Sequence, residues 1–447
     1  MTDEPRQQTL RASIDWSYDF LSEPERVVLQ RLAVFAGGFT LDAAEALCAG
    51  DGIAQSAVLE LLIQLVEKSL LMMEPGGERY RLLETVRQYA LEKLNASGVE
   101  IRARSRHLDY YLDLAKNARP ELAGPEQGAW LHRLDLEREN LLSAHSWADR
   151  ADGGEAPGLN LVWALKPYWI TRGYLELGQR MTVEALARPG AEQRTIARCR
   201  GLFDAGQTGV LMGRYAQAQR YLEESLAIAR EIGDKRRIAV ALQPLGIACL
   251  GQGDTAAAAE HLQEALAMAR ELGNKREVAA ALNVMAQLLR VTGDLDRAES
   301  LYEQGLALAR ELQDRESIAI GLLNLAMVAI DREQGGRALT MLREALAIVD
   351  EIGSKRTGQS VLEVSTGLAV LRDDWEWATR FYGAAEGQAS ETRLHRDPAD
   401  EAFLAPRIAR TRAALTPAEY AAAEIAGRAL DYEDAMDELR AWLEPDS

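Results

Sequence analysis

Five histidines, three cysteines and a few acid pairs are the residues of this chain most able to do chemistry, and their spacing denies them most of it. His107, His132, His145, His261 and His395 never fall at the short separations that bring two imidazoles together on one helix face to hold a metal. Cys48, Cys199 and Cys249 are too few and too scattered for a zinc site or a disulfide framework, and they fit a reducing compartment. No Gly-x-Ser-x-Gly elbow exposes a serine nucleophile. A nucleotide site would need a Gly-rich loop ending Gly-Lys-Ser/Thr, whose amides cradle phosphates while the lysine neutralises charge, and no such string occurs. Gly353-Ser354-Lys355 is the nearest imitation, and it shares a column with Gly233-Asp234-Lys235 and Gly273-Asn274-Lys275, so it reads as a turn. Acid pairs such as Glu223-Glu224 and Asp373-Asp374 fall where solvated helix faces and turns are expected. The sequence calls for no enzyme, no metal and no cofactor, and what remains is binding.

The elements that would position a binding surface are legible as a repeat. From Gly201 to about Leu394 one block recurs five times, some 40 residues apart. Its second position is Leu202, Leu242, Leu282, Leu322 and Leu362, and its eighteenth is Ala218, Ala258, Ala298, Ala338 and Ala378. A small residue comes sixth: Gly206, Gly246, Ala286, Ala326 and Thr366. Leu226, Leu266, Leu306 and Leu346 fill a further column. Apolar residues at helical spacing, with small ones where backbones approach, predict two antiparallel helices per block, and such pairs must stack to bury their apolar faces. Between the paired helices stand Gly213-Arg214, Gly253-Asp254 and Gly293-Asp294, where glycine takes the left-handed conformation and Asp caps the next helix. Glu333 and Asp373 replace that glycine in the last two blocks, which predicts less regular turns there.

These blocks resemble tetratricopeptide repeats, with second helices longer than usual. The resemblance implies an all-α fold, a right-handed superhelix whose first helices line a concave surface. It places Gln207, Gln243, Asn283, Gln287 and Arg290 on that surface as candidate ligand contacts, since concave asparagines in similar repeats often hold a peptide backbone. The partner implied is a protein, a peptide or a small inducer.

Residues Thr9 to Leu94 read differently. Ser22-Glu23-Pro24-Glu25 is a capping box opening a helix through Phe35, Thr40 can cap a second helix through Cys48, and a third runs from about Ala54 to Glu67. Leu70–Met73 and Arg79–Leu83 flank Pro75-Gly76-Gly77, which suits a hairpin. Three helices and one β-hairpin make a small winged helix. A DNA reader would lay the third helix in the major groove and hold phosphates with basic side chains. That helix carries Gln55, Glu60, Gln64 and Glu67 with Lys68 at its end, and residues 1–100 hold sixteen acids against nine bases. Arg79, Arg81 and Arg87 are the basic cluster left for a DNA-binding alternative.

The strings Thr9-Leu10-Arg11-Ala12-Ser13-Ile14-Asp15-Trp16, Phe35-Ala36-Gly37-Gly38-Phe39 and Leu82-Leu83-Glu84-Thr85-Val86-Arg87 resemble the winged-helix segment of bacterial signal-transduction ATPases with numerous domains, especially the large LuxR-type and AfsR-type regulators. In that family an ATPase module precedes the segment and repeats follow it, and this sequence begins about where that module would end. The resemblance implies a regulatory module whose winged helix relays the state of the repeats to an ATPase, in cis or in trans. A stand-alone transcription factor and an inert spacer domain are the other readings.

The expected organisation is a winged helix over 1–98, degenerate helix pairs over 99–200 punctuated by Pro125, Gly153-Gly154 and Pro157, repeats over 201–394, and a C-terminal helical cap over 395–447. A formal net charge of −18, from 69 acids and 51 bases, disfavours generic attraction to nucleic acid or to an anionic membrane. No stretch approaches a membrane span and the start is not signal-like, which predicts a cytoplasmic protein.

Overall fold

The computed structural model describes residues 4–122, 124, 126–392 and 394–444, which leaves Pro125 outside the described residues. The chain divides into two compact units, Met1–Arg172 with Arg180–Gln193, and Gly173–Gln179 with Arg194–Ser447.

The first unit begins with α1 (Glu4–Asp19), α2 (Glu23–Leu32), β1 (Phe39–Thr40), α3 (Leu41–Cys48), a short 3-10 turn, α4 (Val58–Glu67), β2 (Met72–Met73), β3 (Arg79–Arg81) and α5 (Glu84–Ser97). The Glu25 carboxylate accepts from the Ser22 amide and hydroxyl at 2.7 and 2.8 Å, which closes the start of α2. Thr40 accepts from the Ala43 amide at 3.3 Å and opens α3. Two boundaries differ from the sequence reading: α2 stops at Leu32, and the third helix starts with the 3-10 turn Gln55–Ala57. The hairpin also gains a strand. Phe39 pairs with Tyr80 and Met73 with Tyr80, giving an antiparallel sheet of order β1-β3-β2. Phe35 and Phe39 stack with centroids 4.3 Å apart in a core shared with Leu29, Leu32, Leu47, Leu62 and Leu65.

Helices α6 (Glu100–Glu121), α7 (Gln127–Leu136), α8 (Arg138–Trp147) and α9 (Glu155–Thr171) follow, and α10 (Leu175–Leu186) straddles the boundary between the units. The Gly37-Gly38 step explains itself here. A Cβ on Gly37 would stand 2.8 Å from Glu139 Oε2, and the bare backbone lets Asn140 bond the Ala36 N–H and the Gly38 carbonyl, both at 2.9 Å.

The second unit contains five helix pairs: α11 (Ile196–Leu211) with α12 (Tyr215–Ile232), α13 (Lys235–Gly251) with α14 (Thr255–Glu271), α15 (Lys275–Val291) with α16 (Leu295–Glu311), α17 (Arg315–Asp331) with α18 (Gly335–Ile352), and α19 (Lys355–Leu371) with α20 (Trp375–Thr392). The repeated leucines from Leu202 to Leu362 are at most 2% exposed, and the five alanines from Ala218 to Ala378 are fully buried. The small sixth position has a steric cause: a Cβ on Gly206 would fall 2.5 Å from Leu222 Cγ. Ion pairs step along the outside with the repeat, among them Arg230–Glu264 at 2.7 Å, Lys235–Glu271 at 2.5 Å and Arg310–Glu344 at 2.9 Å.

The turns within the last two pairs are regular, contrary to the sequence reading. Glu333 (φ 61°) and Asp373 (φ 59°) adopt the left-handed conformation of Gly213, Gly253 and Gly293. Gln334 N–H to Ala329 O at 2.8 Å and Asp374 N–H to Ala369 O at 2.9 Å reproduce the closing bond of Asp254 to Cys249. That bond and the packed helices on either side outweigh the roughly 1–2 kcal/mol cost of a left-handed non-glycine residue.

Where the sequence suggests only an end cap, the chain also turns back on itself. Helices α22 (Pro417–Arg428) and α23 (Tyr432–Leu443) lie against the last pair, and α22 crosses α20 closely because Gly383 and Gly427 carry no Cβ. Before them, α21 (Pro398–Ala414) packs on α13, α15 and α19, and residues 394–397 lead into it from beside Leu211 and Tyr215.

Candidate functional site

The first helix of each pair offers side chains at spacings of three and four to the inner face: Asn283 and Gln287 on α15, Ile320, Leu323, Asn324 and Met327 on α17, and Arg356 and Ser360 on α19. With Ile247 of α13 and Asp397 and Asp400 at the start of α21 they enclose a cavity of about 200 Å³. A second cavity of about 150 Å³ adjoins it toward Val210, Leu211 and Tyr215, and both share Ile247, Arg356, Ser360, Asp397 and Asp400. The two form one groove on the inside of the repeats.

Residues 394–400 act as a strap along that groove. The His395 amide donates to the Leu211 carbonyl at 2.8 Å, and the His395 ring stands edge-on to Tyr215. Arg396 bonds Glu363 at 3.0 Å and both Glu386 and Glu401 at 2.7 Å. Burial works against its charge, yet these acids hold it above its ordinary value. Asp397 caps α21 by accepting from the Ala399 amide at 2.9 Å. Asp400 accepts from Arg290 at 2.9 Å. Further along α21, the Arg407 guanidinium lies over the Phe403 ring and bonds Asp331 at 2.6 Å. Gly367 leaves room for Phe403, since a Cβ there would meet its ring at 2.4 Å.

The electrostatics follow from burying acids together. Burial, then the neighbouring Asp400, pushes the Asp397 carboxyl up to about 7, against the pull of Arg290 and Arg356. Burial likewise raises Asp400 despite Arg290 and raises Glu363 despite Arg396.

Of the side chains picked from the sequence, Asn283 and Gln287 line the groove together. Asn283 Oδ1 accepts from Asn324 at 2.8 Å. Gln207 and Gln243 are half-buried outside both cavities, and Gln243 reaches Glu277 at 3.4 Å. Arg290 is 3% exposed and spends its charge on Asp400, so α21 covers what the repeat pattern places on the inner face. Asn324, Arg356, Asp397 and Asp400 belong to the groove and were not singled out from the sequence. The column of Asn324 holds Val284 in the preceding block, and the strap lies outside the repeat, so only the periodic inward spacing of α17 and α19 offered a signal.

The basic cluster of the winged helix is engaged within its own unit. Arg79 pairs with Glu137 and donates to the Gly38 carbonyl at 2.7 Å, with only 11% of its side chain exposed. Glu137 in turn accepts from Tyr111 at 2.7 Å and Asn140 at 2.9 Å. Arg87 is held by Glu84 through two bonds of 2.8 Å. Arg81 is exposed on β3. On α4 the exposed side chains include Leu59 and Ile63, at 41% and 44%.

Among the described residues no group of three or more His, Cys, Asp or Glu could hold a metal ion, and no helix is long and apolar enough to cross a membrane.

The tetratricopeptide-repeat family model matches residues 207–271 and 275–360, and the winged helix-turn-helix domain model matches residues 21–95. A provisionally named HTH-type transcriptional regulator of Mycobacterium tuberculosis (strain ATCC 25618 / H37Rv) is 37% identical over 269 residues, covering 56% of this chain and 29% of the relative. The chain therefore spans less than a third of the length of that relative. Among solved structures, a Rap protein complexed with Competence and Sporulation Factor aligns with a TM-score of 0.51 at 14% identity, over 76% of this chain and 99% of that one. A signal-transduction ATPase with numerous domains and a tetratricopeptide-repeat sensor, from Pyrococcus horikoshii, aligns at 16% identity with a TM-score of 0.43, over 96% of this chain and 66% of that one.

Proposed function

We propose that this chain, a winged helix-turn-helix domain joined to tetratricopeptide repeats, is a non-catalytic regulatory module of a bacterial signal-transduction or transcription-regulating protein. In this reading the repeat groove binds a protein, a peptide or a small inducer, and the winged helix relays occupancy to a nucleotide-binding module in cis or in trans. The observation that carries it is the groove, where an apolar floor lies beside carboxamides, an arginine and two carboxylates. Such a mixed lining suits a ligand that is partly apolar and hydrogen-bonding. Leu59 and Ile63 exposed on α4, with Glu60 between them, support a protein partner for the winged helix over a phosphate backbone.

Direct DNA binding is the second reading, favoured by the winged helix-turn-helix match and by the name of the Mycobacterium relative. Its weakness is that Arg79 and Arg87 already serve acids of their own unit.

Two measurements on the full chain separate the readings. A pooled peptide library is expected to raise the melting temperature, and random-sequence duplex DNA is expected to give no complex at about 50 mM salt. A DNA complex there that weakens roughly 1,000-fold by about 200 mM, as for about six phosphate contacts, would replace the first reading with the second.

A further inference from the structure

The polar lining of the larger cavity is divided by charge. Asp397 and Asp400 come from the strap, and Arg356 comes from α19. Arg290 answers one carboxylate, Asp400, at 2.9 Å. Asp397 has the Ala399 amide at 2.9 Å, and Arg356 acts on it without forming a hydrogen bond or ion pair. Gln287 is 7% exposed, lines the cavity and has no hydrogen-bond partner among the described residues. Its carboxamide atoms stay accessible from the cavity and can both donate and accept there. The Asn283–Asn324 bond uses one oxygen of the first and one nitrogen of the second, which leaves a donor and an acceptor. The floor is apolar, from Ile320, Leu323 and Met327.

Resting on the groove reading above, we infer that this cavity takes an α-ammonium group with an apolar side chain beside it, as carried by a peptide amino terminus or a free apolar amino acid. The ammonium sits at Asp397 and Asp400, of which Asp400 alone has an ion-paired arginine among the described residues. The adjoining carbonyl and amide meet Gln287 and the asparagine pair, and the side chain lies on Ile320, Leu323 and Met327. A carboxylate, where the ligand has one, faces Arg356. The volume of about 200 Å³ suits one residue, and the adjoining cavity of about 150 Å³ has room for another. The groups that act on Asp397 are Tyr215, Arg290, Tyr302, Arg356 and Asp400; of these Arg290 is paired with Asp400, and Tyr302 is buried behind the cavity wall at 1% exposure. Because burial holds part of the Asp397 population protonated near neutrality, binding strengthens as pH rises from about 6 through 7.

The test is affinity selection on the full chain. The protein is incubated with an equimolar tripeptide pool, the same pool N-acetylated, or a mixture of free amino acids, and the retained species are read by mass spectrometry. Asp397→Asn removes the charge and keeps a good helix cap, and Ser360→Trp fills both cavities. Unchanged melting of each variant establishes that it folds. Retention of free-amine species is expected, with the acetylated pool lost, Asp397→Asn about tenfold or more weaker, and Ser360→Trp inactive. Selection of peptides or of amino acids identifies the source. Equal retention of the acetylated pool, or an Asp397→Asn variant that binds as well while Ser360→Trp does not, overturns the ammonium site and keeps the groove. No retention at all, or retention that Ser360→Trp leaves intact, removes the groove reading itself.

Discussion

Replacing Arg290 by methionine probes the attachment of α21 to the repeats. The guanidinium is 3% exposed and lies 2.9 Å from Asp400, with the Phe403 ring 5.8 Å away. Methionine keeps much of the aliphatic volume and strands Asp400, whose side chain is 19% exposed. Removing one member of a buried pair costs about 3–5 kcal/mol. Asp400 keeps some solvent and can take up a proton, so a loss of about 2–3 kcal/mol is expected at pH 8. The pH dependence has a definite sign. Burial already raises Asp400 above its ordinary value, and losing Arg290 raises it further. A carboxyl raised in the fold binds more protons there than in the unfolded chain, whose value is about 3.9, so stability falls as pH rises between the two values. The deficit should therefore be smaller at pH 5 than at pH 8, and Asp400→Asn in the same chain should recover part of it. Urea unfolding followed by circular dichroism at both pH values measures this, and hydrogen exchange over 394–414 locates it. A cost below about 0.5 kcal/mol at pH 8, or the same cost at both pH values, would refute a role for the pair in holding α21.

Three other substitutions test the packing. Ala298→Leu places three extra carbons at a fully buried position and should cost about 1–3 kcal/mol in denaturant unfolding; no cost would mean that α15 and α16 are not close-packed there. Glu333→Gly removes a left-handed non-glycine residue, and the melting temperature should rise by the equivalent of about 0.5–1 kcal/mol, an unchanged or lower value contradicting the strain. Arg79→Met leaves Glu137, 5% exposed, without its cation and should cost the first unit about 3 kcal/mol. If instead that variant is as stable as the parent and loses affinity for duplex DNA, Arg79 belongs to a nucleic-acid face.

The repeat columns were legible because each recurs in one environment: a leucine against its pair, an alanine at the crossing, a small residue beneath Leu222 or Leu262. The two non-glycine turns misled because local preference at Glu333 and Asp373 is weaker than the helices that dictate their shape. The third strand was missed since a two-residue segment, Phe39–Thr40, carries no alternation to detect. For the groove, periodicity pointed inward at Asn283 and Gln287, and it pointed equally at Arg290. What separates them is a helix that begins 108 residues after Arg290, and spacing within a repeat has no term for a segment folding back from so far away.

A row of helix pairs in which each touches only its neighbours loosens from its ends inward. Here Tyr215 of the first pair meets His395 from beyond the last, 180 residues away in sequence, so the row is clasped like a bracelet. The opening pair cannot peel off without undoing the clasp. During synthesis the clasp cannot shut until the whole row has left the ribosome, so the groove is finished only after the fifth pair has emerged. Anything seated beneath the clasp would then register the integrity of the first pair and of the last at once, which makes the entire row, and not any one repeat, the responsive unit.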